Sequence, residues 1–234
     1  MAVVDSDIAV RRYLCGNLRA EGYSVRAFAS LEPALDGIAT GLAELLILDL
    51  DNSEHSGGEV IRSLREVYSI PIIATSLAGD EKSMVDALRS GADDYIVKPF
   101  SLAELLARAQ TALRRRAREQ GRPTLFLSGD LEIDLVRRRI WTRGQEVRFS
   151  AKPYDVLRTL VENAGKVVPH GHILKAVWGT ERMDRLPYLR IAIRDLRQKL
   201  EIDPTKPAHI TTETRVGYRL RKPGRRIALQ PGSR

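Results

Sequence analysis

The sequence has little cysteine, few aromatic residues and no long apolar run. Cys15 is the only cysteine among 234 residues, so the chain cannot form an internal disulfide, which suits a reducing compartment. Aromatic residues make up 6% of the chain, which leaves few platforms for stacking bases and argues against a purely RNA-binding protein. No apolar run approaches the length of a membrane span, and the first residues carry no signal-peptide pattern. We therefore expect a soluble cytoplasmic protein without a membrane partner.

Charge is distributed unevenly along the chain. Residues 1–112 hold 10 basic and 17 acidic residues, whereas residues 113–234 hold 28 basic and 13 acidic ones. The first part therefore carries a formal charge of −7 and the second a formal charge of +15. This asymmetry indicates two domains with different partners, and nucleic acid is the candidate partner of the basic half.

Strand-like and helical patterns alternate through the first half. Amphipathic segments, such as Val10, Leu14 and Leu18 at i, i+4 and i+8, separate short apolar runs. The fifth helical segment begins at Ser101, and Glu104 three residues later predicts a capping box. Five strands that alternate with helices predict a doubly wound α/β fold with a five-stranded parallel sheet. The predicted strands are residues 3–4, 25–28, 45–48, 70–75 and 95–97.

The stretch "RRRAREQGRPT", residues 114–124, separates the two halves, because its charges, glycine and proline indicate a helix end followed by a linker. Residues 125–149 then contain short strand-like pieces and turns. "HITTET" and "GYRLR" predict a closing hairpin, and the glycine-, proline- and arginine-rich residues 224–234 predict a mobile basic tail. Between these parts lie three helical segments, near residues 151–163, 170–178 and 186–200.

Polar residues follow four of the predicted strands. Asp5 comes after the first strand, Asp49 after the third, Ser76 after the fourth and Lys98 after the fifth. Because ligands of open parallel sheets bind beyond the carboxyl ends of the strands, we expect these four side chains to lie together. Clustered carboxylates suit Mg²⁺, and a carboxylate beside Mg²⁺ can attack a phosphoryl group to form an acyl phosphate. A lysine and a hydroxyl can then bind the phosphate oxygens.

Because of these residues and the stretch "GADDYIVKPF", residues 1–116 resemble the receiver domain of bacterial two-component response regulators. The resemblance implies that a sensor histidine kinase phosphorylates Asp49 and that Lys98 senses the phosphate. It also implies that Ser76 is the switch hydroxyl and Tyr95 the switch aromatic.

The same resemblance implies a Mg²⁺ site at Asp5, Asp49 and the backbone carbonyl of Asp51. Among the departures from the pattern of the family, three concern the phosphorylation pocket. Ser6 stands where the family has a second acid that ligates the metal directly, Leu77 stands where it has a small alanine, and the loop after Asp49 reads "DNSEHS". Losing one negative charge at Ser6 is expected to weaken Mg²⁺ binding.

The resemblance also implies a homodimer, formed through the fourth helix, fifth strand and fifth helix of the receiver. A linker over residues 117–124 would follow this domain. The residues expected to form ion pairs across the dimer are Asp93, Asp94, Arg108 and Arg115.

An arginine row accompanies an apolar stripe in the segment "RLPYLRIAIRDLRQKLE". The stripe consists of Leu189, Ile193, Leu196 and Leu200, and the row consists of Arg190, Arg194 and Arg197. A helix with one buried face and an arginine row can lie in the major groove of double-stranded DNA. A merely solvated charged face is the alternative interpretation.

Residues 125–221 resemble the winged-helix output domain of the OmpR/PhoB class, an α+β helix-turn-helix fold, and we expect the DNA-binding domain to span residues 125–223. The stretches "HGHILKAVWG", "YLRIAIRDLRQKLEIDP" and "TTETRVGYRL" carry the resemblance, and their wording is especially similar to regulators of the high-affinity potassium-uptake (Kdp) operon. The resemblance implies a recognition helix at 186–200 and a wing at 211–220. The DNA-binding residues expected from these patterns are Arg190, Arg194, Arg197, Arg215 and Tyr218.

The leading hypothesis is a DNA-binding transcriptional regulator that is phosphorylated, dimerises and binds promoter DNA, with RNA polymerase as a further partner. One alternative is the same regulator acting without phosphorylation, because Ser6 and Leu77 have degraded the metal pocket. A distant alternative is a phosphatase of the haloacid-dehalogenase type, because "DLDNS" matches its Asp-x-Asp-x-Ser motif. That motif normally follows the first strand, whereas here it follows the third, so we expect no enzyme.

Overall fold

The computed structural model describes residues 1–40, 43–51, 56–179 and 183–222. The chain divides into two compact units, Met1–Gly121 and Arg122–Arg234. Within the described ranges, none of the helices combines the length and the apolar character needed to cross a bilayer. The predicted basic tail at 224–234 and most of the loop after Asp49 lie outside the described residues.

The first unit is an α/β fold around one parallel sheet. Its strands are β1 (Ala2–Val4), β2 (Arg26–Phe28), β3 (Leu46–Asp49), β4 (Ile72–Ser76) and β5 (Asp94–Val97). Its helices are α1 (Ile8–Ala20), α2 (Glu32–Ala39), α3 (Gly57–Val67), α4 (Glu81–Arg89) and α5 (Leu102–Glu119). The strand order is β2-β1-β3-β4-β5, and every neighbouring pair is parallel, as the alternating pattern predicts.

Both faces of this sheet are covered, which explains why its strands are nearly continuous apolar runs. Leu46 and Leu48 of β3 belong to a core shared with α2, α3 and α4, whereas Ile47 belongs to a core shared with α1 and α5. Successive side chains of a strand point to opposite faces, so one short run fills both cores. The carboxyl ends of β1, β3, β4 and β5 are thereby fixed along one edge.

Polar side chains cap the helices that start near this edge. The caps of α1, α3, α4 and α5 are Asp7, Ser56, Asp80 and Ser101. The capping box predicted at Ser101 and Glu104 is only half formed. Ser101 accepts a hydrogen bond from the Glu104 backbone N–H at 3.1 Å, but the Glu104 carboxylate binds Arg108 instead. The complete capping box lies at Ser56 and Glu59, where both hydrogen bonds are present.

Helix α5 continues into the stretch that the sequence predicts as a linker. It ends at Glu119, so residues 117–119 of the predicted 117–124 linker are helical. Alanine and arginine are strong helix formers, which outweighs the charge repulsion in this run. The helix stops before Gly121, whose φ of 62° lies in the left-handed region that glycine adopts easily.

In its described residues, the second unit is an α+β fold with two small sheets, three α-helices and a short 3₁₀ helix at Met183–Arg185. An antiparallel meander in the order β6-β7-β8-β9 consists of β6 (Leu125–Ser128), β7 (Leu131–Asp134), β8 (Arg139–Thr142) and β9 (Gln145–Val147). A second sheet in the order β10-β12-β11 consists of β10 (Val167–Pro169), β11 (Ile210–Glu213) and β12 (Gly217–Leu220). The helices are α6 (Ala151–Glu162), α7 (His170–Trp178) and α8 (Leu186–Leu200). This is the winged helix-turn-helix arrangement that the sequence predicts.

Helix α8 has one buried face and one exposed face. The stripe predicted from the sequence, Leu189, Ile193, Leu196 and Leu200, is buried in the core that α8 shares with α6 and α7. Arg190 and Arg194 lie on the exposed face. The helix is therefore anchored by its apolar stripe and presents arginines to its surroundings.

Candidate functional sites

The four residues predicted at the strand ends meet at one edge of the parallel sheet. One of them, Lys98, contacts the carboxylates. The ammonium group of Lys98, after β5, donates hydrogen bonds to Asp49 Oδ1 at 2.7 Å and to Asp5 Oδ2 at 3.0 Å. Asp51 Oδ2 lies 3.3 Å from the same nitrogen. The side chains of Asp5 and Asp49 are almost fully buried. The edge is therefore a compact acidic pocket, defined by Asp5, Asp49, Asp51, Ser76 and Lys98.

The charges in the acidic pocket shift the pKa values of its members. Burial raises the pKa of Asp49 and the nearby charge of Asp5 raises it further, although the hydrogen bond from Lys98 acts in the opposite direction. Burial would lower the pKa of Lys98, but its hydrogen bonds to Asp49 and Asp5 outweigh this and raise the pKa to about 12. One ammonium group thus faces three carboxylates, and the remaining negative charge favours a further cation.

Asp51 uses its side chain in the pocket, which the sequence analysis did not foresee. Asp51 Oδ1 accepts a hydrogen bond from Ser76 Oγ at 2.6 Å and another from the Leu77 backbone N–H at 2.7 Å. Burial would raise the pKa of Asp51, but the hydrogen bonds from Ser76 and Leu77 outweigh it and lower the pKa. The sequence did contain a signal for this role. Asp51 comes two positions after Asp49, so it lies on the loop that begins at the same edge of the sheet.

The loop after β1 holds Asp5 in place. Asp5 Oδ1 accepts the Asp7 backbone N–H at 2.8 Å, and the Asp7 carboxylate caps α1 by accepting the Ala9 backbone N–H. The guanidinium group of Arg11 donates to the backbone carbonyl oxygens of Asp5 at 2.6 Å and Ser6 at 2.8 Å. Asp7 therefore serves the helix rather than the pocket, and Ser6 is exposed at the rim.

The segment after β4 joins the pocket to Tyr95. Ser76 Oγ accepts the Ala78 backbone N–H at 3.0 Å, and the Tyr95 hydroxyl donates to the Ala78 carbonyl oxygen at 2.7 Å. Tyr95 is only 5% exposed. The Leu77 side chain is 69% exposed, so it points out of the pocket rather than crowding it.

The donor set of the pocket suits a hard divalent cation, though with few protein ligands. Asp5 and Asp49 supply carboxylate oxygens, and Asp51 Oδ2 accepts no hydrogen bond from any described residue although Lys98 is near. Across the described part of the chain, no group of three His, Cys, Asp or Glu side chains is already arranged to hold a metal ion, and the three carboxylates of the pocket surround the Lys98 ammonium group instead. The residues therefore fit a Mg²⁺ ion held mainly by two carboxylates and water.

The acids and arginines predicted for a dimer face form ion pairs within the chain. Arg108 donates to Asp94 at 2.8 and 3.0 Å and to Glu104 at 2.9 Å. Asp93 pairs with Arg65, and Arg115 pairs with Glu119 at 3.0 Å. The expected cross-subunit pairs would therefore have to replace these internal pairs.

Arg197 does not belong to the exposed arginine row that the helical spacing predicts. Its guanidinium group donates to the Ile210 carbonyl oxygen at 2.8 and 3.0 Å and to Thr212 Oγ1 at 2.7 Å. The side of α8 that carries Arg197 faces β11, whose carbonyl group needs a donor. Arg197 therefore links α8 to β11, the first strand of the wing. Arg190 and Arg194 remain exposed.

The turn of the wing presents an arginine, and the wing buries a tyrosine. Arg215 lies exposed in the turn between β11 and β12 with a φ of 64°. Tyr218 is 6% exposed, and its ring packs edge-on against His170 with 5.4 Å between the ring centroids. Tyr218 therefore braces the wing against α7 and is not placed as an open DNA contact. Burial and the charge of Arg190 lower the pKa of His170.

Apolar side chains also lie on the exposed face of α8, and the sequence analysis passed over them. Tyr188 and Ile191 are each 54% exposed, next to Arg190 and Arg194. The sequence could have indicated their exposure, because neither residue falls on the buried apolar stripe of α8. Such side chains beside arginines can contact apolar groups of DNA bases, such as the thymine methyl.

Family models match both units of the chain. Residues 1–110 match the response regulator receiver domain, and residues 144–220 match the family described as transcriptional regulatory protein, C terminal. The chain belongs to the two-component response regulators of the OmpR/PhoB class, with a receiver domain and a DNA-binding domain. Members of this class bind promoter DNA and are phosphorylated by sensor histidine kinases, and receiver domains generally bind Mg²⁺ at the phosphorylation site.

Similar proteins span nearly the whole chain. The KDP operon transcriptional regulatory protein KdpE of Escherichia coli (strain K12) is 39% identical over 217 residues, which are 93% of this chain and 96% of that protein. The transcriptional regulatory protein KdpE of Mycobacterium tuberculosis is 36% identical over 219 residues, again 93% and 96% of the two chains. Among solved structures, the response regulator DrrB of Thermotoga maritima is 31% identical with a TM-score of 0.42, covering 94% of this chain and 97% of that one.

Proposed function

We propose that this chain is a transcriptional response regulator whose Asp49 accepts a phosphoryl group from a sensor histidine kinase. The observation that supports this most directly is the position of Lys98 between Asp5 and Asp49. The ammonium group of Lys98 neutralises part of the charge of these two buried carboxylates and places a cation beside the carboxylate that would receive the phosphoryl group. A purely structural ion pair would not need a second and a third carboxylate around one ammonium.

The proposed reaction is a transfer between two side chains. Asp49 Oδ2, the oxygen that Lys98 does not hold, attacks the phosphorus atom of the kinase phosphohistidine, and the phosphorus–nitrogen bond breaks to release the imidazole. Asp5 and Asp49, with the backbone carbonyl of Asp51, would hold Mg²⁺, which supplies positive charge for the transfer when bound. Lys98 would neutralise charge on the phosphoryl group that Asp49 carries.

Labelling with acetyl phosphate tests this proposal. Purified wild-type protein and Asp49→Ala are incubated with acetyl phosphate, with and without Mg²⁺, and the phosphorylated fraction is measured by mass spectrometry of the intact chain. We expect labelling of the wild type that requires Mg²⁺, and none of Asp49→Ala. Absence of label on the wild type would contradict phosphorylation of Asp49.

We further propose that the output unit binds double-stranded promoter DNA as a pair of copies. In this proposal α8 lies in the major groove with Arg190 and Arg194 toward the DNA, and Arg215 at the wing reaches the adjacent minor groove. The receivers would pair through α4, β5 and α5, where Arg108 and Asp94 exchange their internal pair for one across the dimer. RNA polymerase would be a further partner at the promoter, and the protein would act in the cytoplasm, where its DNA lies.

The proposed target is the promoter of a potassium-uptake operon. Two of the relatives that cover 93% of the chain are named as KdpE regulators, and one of these names specifies the KDP operon. DNA upstream of such an operon in the source genome is therefore the first fragment to test.

A second candidate keeps DNA binding but needs no phosphorylation. Two observations favour it. The Asp51 carboxylate already accepts the hydrogen bond of Ser76 and pairs with Lys98, and Ser6 stands in place of a second acid. Phosphorylation-independent binding to the same DNA fragment by Asp49→Ala and by the wild type would favour this candidate.

A further inference from the structure

The hydrogen-bond donors around Asp49 bind the carboxylate of Asp51. The Ser76 hydroxyl and the Leu77 backbone N–H both donate to Asp51 Oδ1, and the Lys98 ammonium lies 3.3 Å from Asp51 Oδ2. These three donors come from the ends of β4 and β5. A side chain of one carboxylate thus gathers a hydroxyl, an amide and an ammonium group.

The same donors are the ones that a phosphoryl group on Asp49 would need. Lys98 already donates to Asp49 Oδ1 at 2.7 Å, and the Asp51 backbone N–H donates to the same oxygen at 3.3 Å, so the ammonium group and the residue that gathers the other two donors both lie against the Asp49 carboxylate. A phosphoryl group has several strong acceptor oxygens and binds charged and neutral donors of this kind. The Ser76 hydroxyl and the Leu77 amide each have one hydrogen atom to donate. Neither can serve Asp51 and a phosphoryl oxygen at the same time.

We propose that the Asp51 carboxylate is an internal ligand of this donor set and competes with the phosphoryl group for it. This inference rests on the proposed function to the extent that Asp49 is the phosphorylated residue. Without phosphate, Asp51 holds the Ser76–Ala78 segment in place, and Tyr95 is hydrogen-bonded to the Ala78 carbonyl oxygen of that segment. The pocket therefore keeps an anion on its switch hydroxyl whether or not Asp49 carries a phosphate.

Hydrogen exchange at the Leu77 amide tests the contact itself. Asp51→Ala removes the acceptor and keeps the backbone carbonyl of residue 51, while Glu66→Ala removes an equal charge from an exposed position on α3. We expect the Leu77 amide to exchange about tenfold faster, or more, in Asp51→Ala, as for the loss of one hydrogen bond to a charged group. It should exchange at the wild-type rate in Glu66→Ala. Asp51→Asn, which keeps an acceptor oxygen, should lie between the two.

Labelling of Asp49 tests the competition. With acetyl phosphate and Mg²⁺, the phosphorylated fraction at equal time should be several-fold higher in Asp51→Ala than in the wild type, and unchanged in Glu66→Ala. Equal labelling of Asp51→Ala and the wild type overturns the proposal, as does an unchanged exchange rate at Leu77. If no variant is labelled, the proposed phosphorylation fails, and the exchange rate at Leu77 still decides whether Asp51 holds the donors.

Discussion

At the scale of single residues, the position of Ser6 determines how much negative charge the pocket offers a metal. The family pattern places a second acid there, whereas Ser6 is exposed at the rim and adds no charge. Lys98 has already neutralised part of the charge of Asp5 and Asp49. A Mg²⁺ ion would therefore gain less Coulomb energy here than in a pocket with a further carboxylate.

Ser6→Asp should restore that charge. We expect the Mg²⁺ concentration that gives half-maximal labelling of Asp49 by acetyl phosphate to fall by about tenfold or more, because a unit charge a few ångströms from a divalent ion contributes more than 1 kcal/mol at an effective dielectric constant near 20. Ser63→Asp, at an exposed position on α3, is the matched control and should leave the midpoint unchanged. An unchanged midpoint in Ser6→Asp would place the weakness of the site elsewhere, in the loop after Asp49.

At the scale of elements, we expect the arginines of α8 to have two separate tasks. Arg194 is exposed and available to DNA, whereas Arg197 donates to the Ile210 carbonyl oxygen and to Thr212 of β11. The spacing i, i+4, i+7 placed both on one face. It could not show which side of that face would meet the wing strand, because that depends on how α8 packs against a strand ten residues later in the chain.

Substituting the two arginines should separate these tasks. Arg197→Ala leaves the Ile210 carbonyl oxygen without its donor, so we expect the free energy of unfolding to fall by about 1–3 kcal/mol. Arg194→Ala should change the free energy of unfolding by less than about 0.5 kcal/mol, as for an exposed substitution, and should weaken DNA binding. Urea unfolding and DNA-binding titrations of both variants measure the two effects. Equal loss of stability in both variants would show that Arg197 is not a structural link.

Periodicity and strand-end positions predicted the elements well, because both depend on local sequence. The parallel sheet, the buried stripe of α8 and the meeting of Asp5, Asp49, Ser76 and Lys98 all follow from them. The choice of partner among nearby groups was not predictable in this way. Glu104 binds Arg108 rather than closing a capping box, and Asp51 turns its carboxylate to Ser76. Each choice depends on a neighbour brought close only by the fold.

At the scale of the whole molecule, the two halves of the chain carry opposite net charges, and each sign suits the ligand expected for that half. The half that carries −7 contains the acidic pocket, and the half that carries +15 contains the exposed arginines of α8 and the wing. The negative charge of the receiver repels the phosphate groups of DNA, so the receiver does not compete with the output unit for them. The positive charge of the output unit attracts DNA over a distance set by the ionic strength. DNA affinity should therefore depend strongly on salt.

A salt titration makes this prediction quantitative. Binding of the full chain to the DNA fragment upstream of a potassium-uptake operon is measured by fluorescence anisotropy at several salt concentrations, and the logarithm of the association constant should fall linearly with the logarithm of salt. The double variant Arg190→Ala and Arg194→Ala should lower the steepness of that line by about 2, about one unit for each lost phosphate contact. A double variant of two other exposed arginines, Arg137→Ala and Arg139→Ala on the meander, removes the same charge away from α8 and should change the slope by less. If both double variants reduce the slope equally, the overall charge of the unit drives binding, and α8 has no special place in the interface.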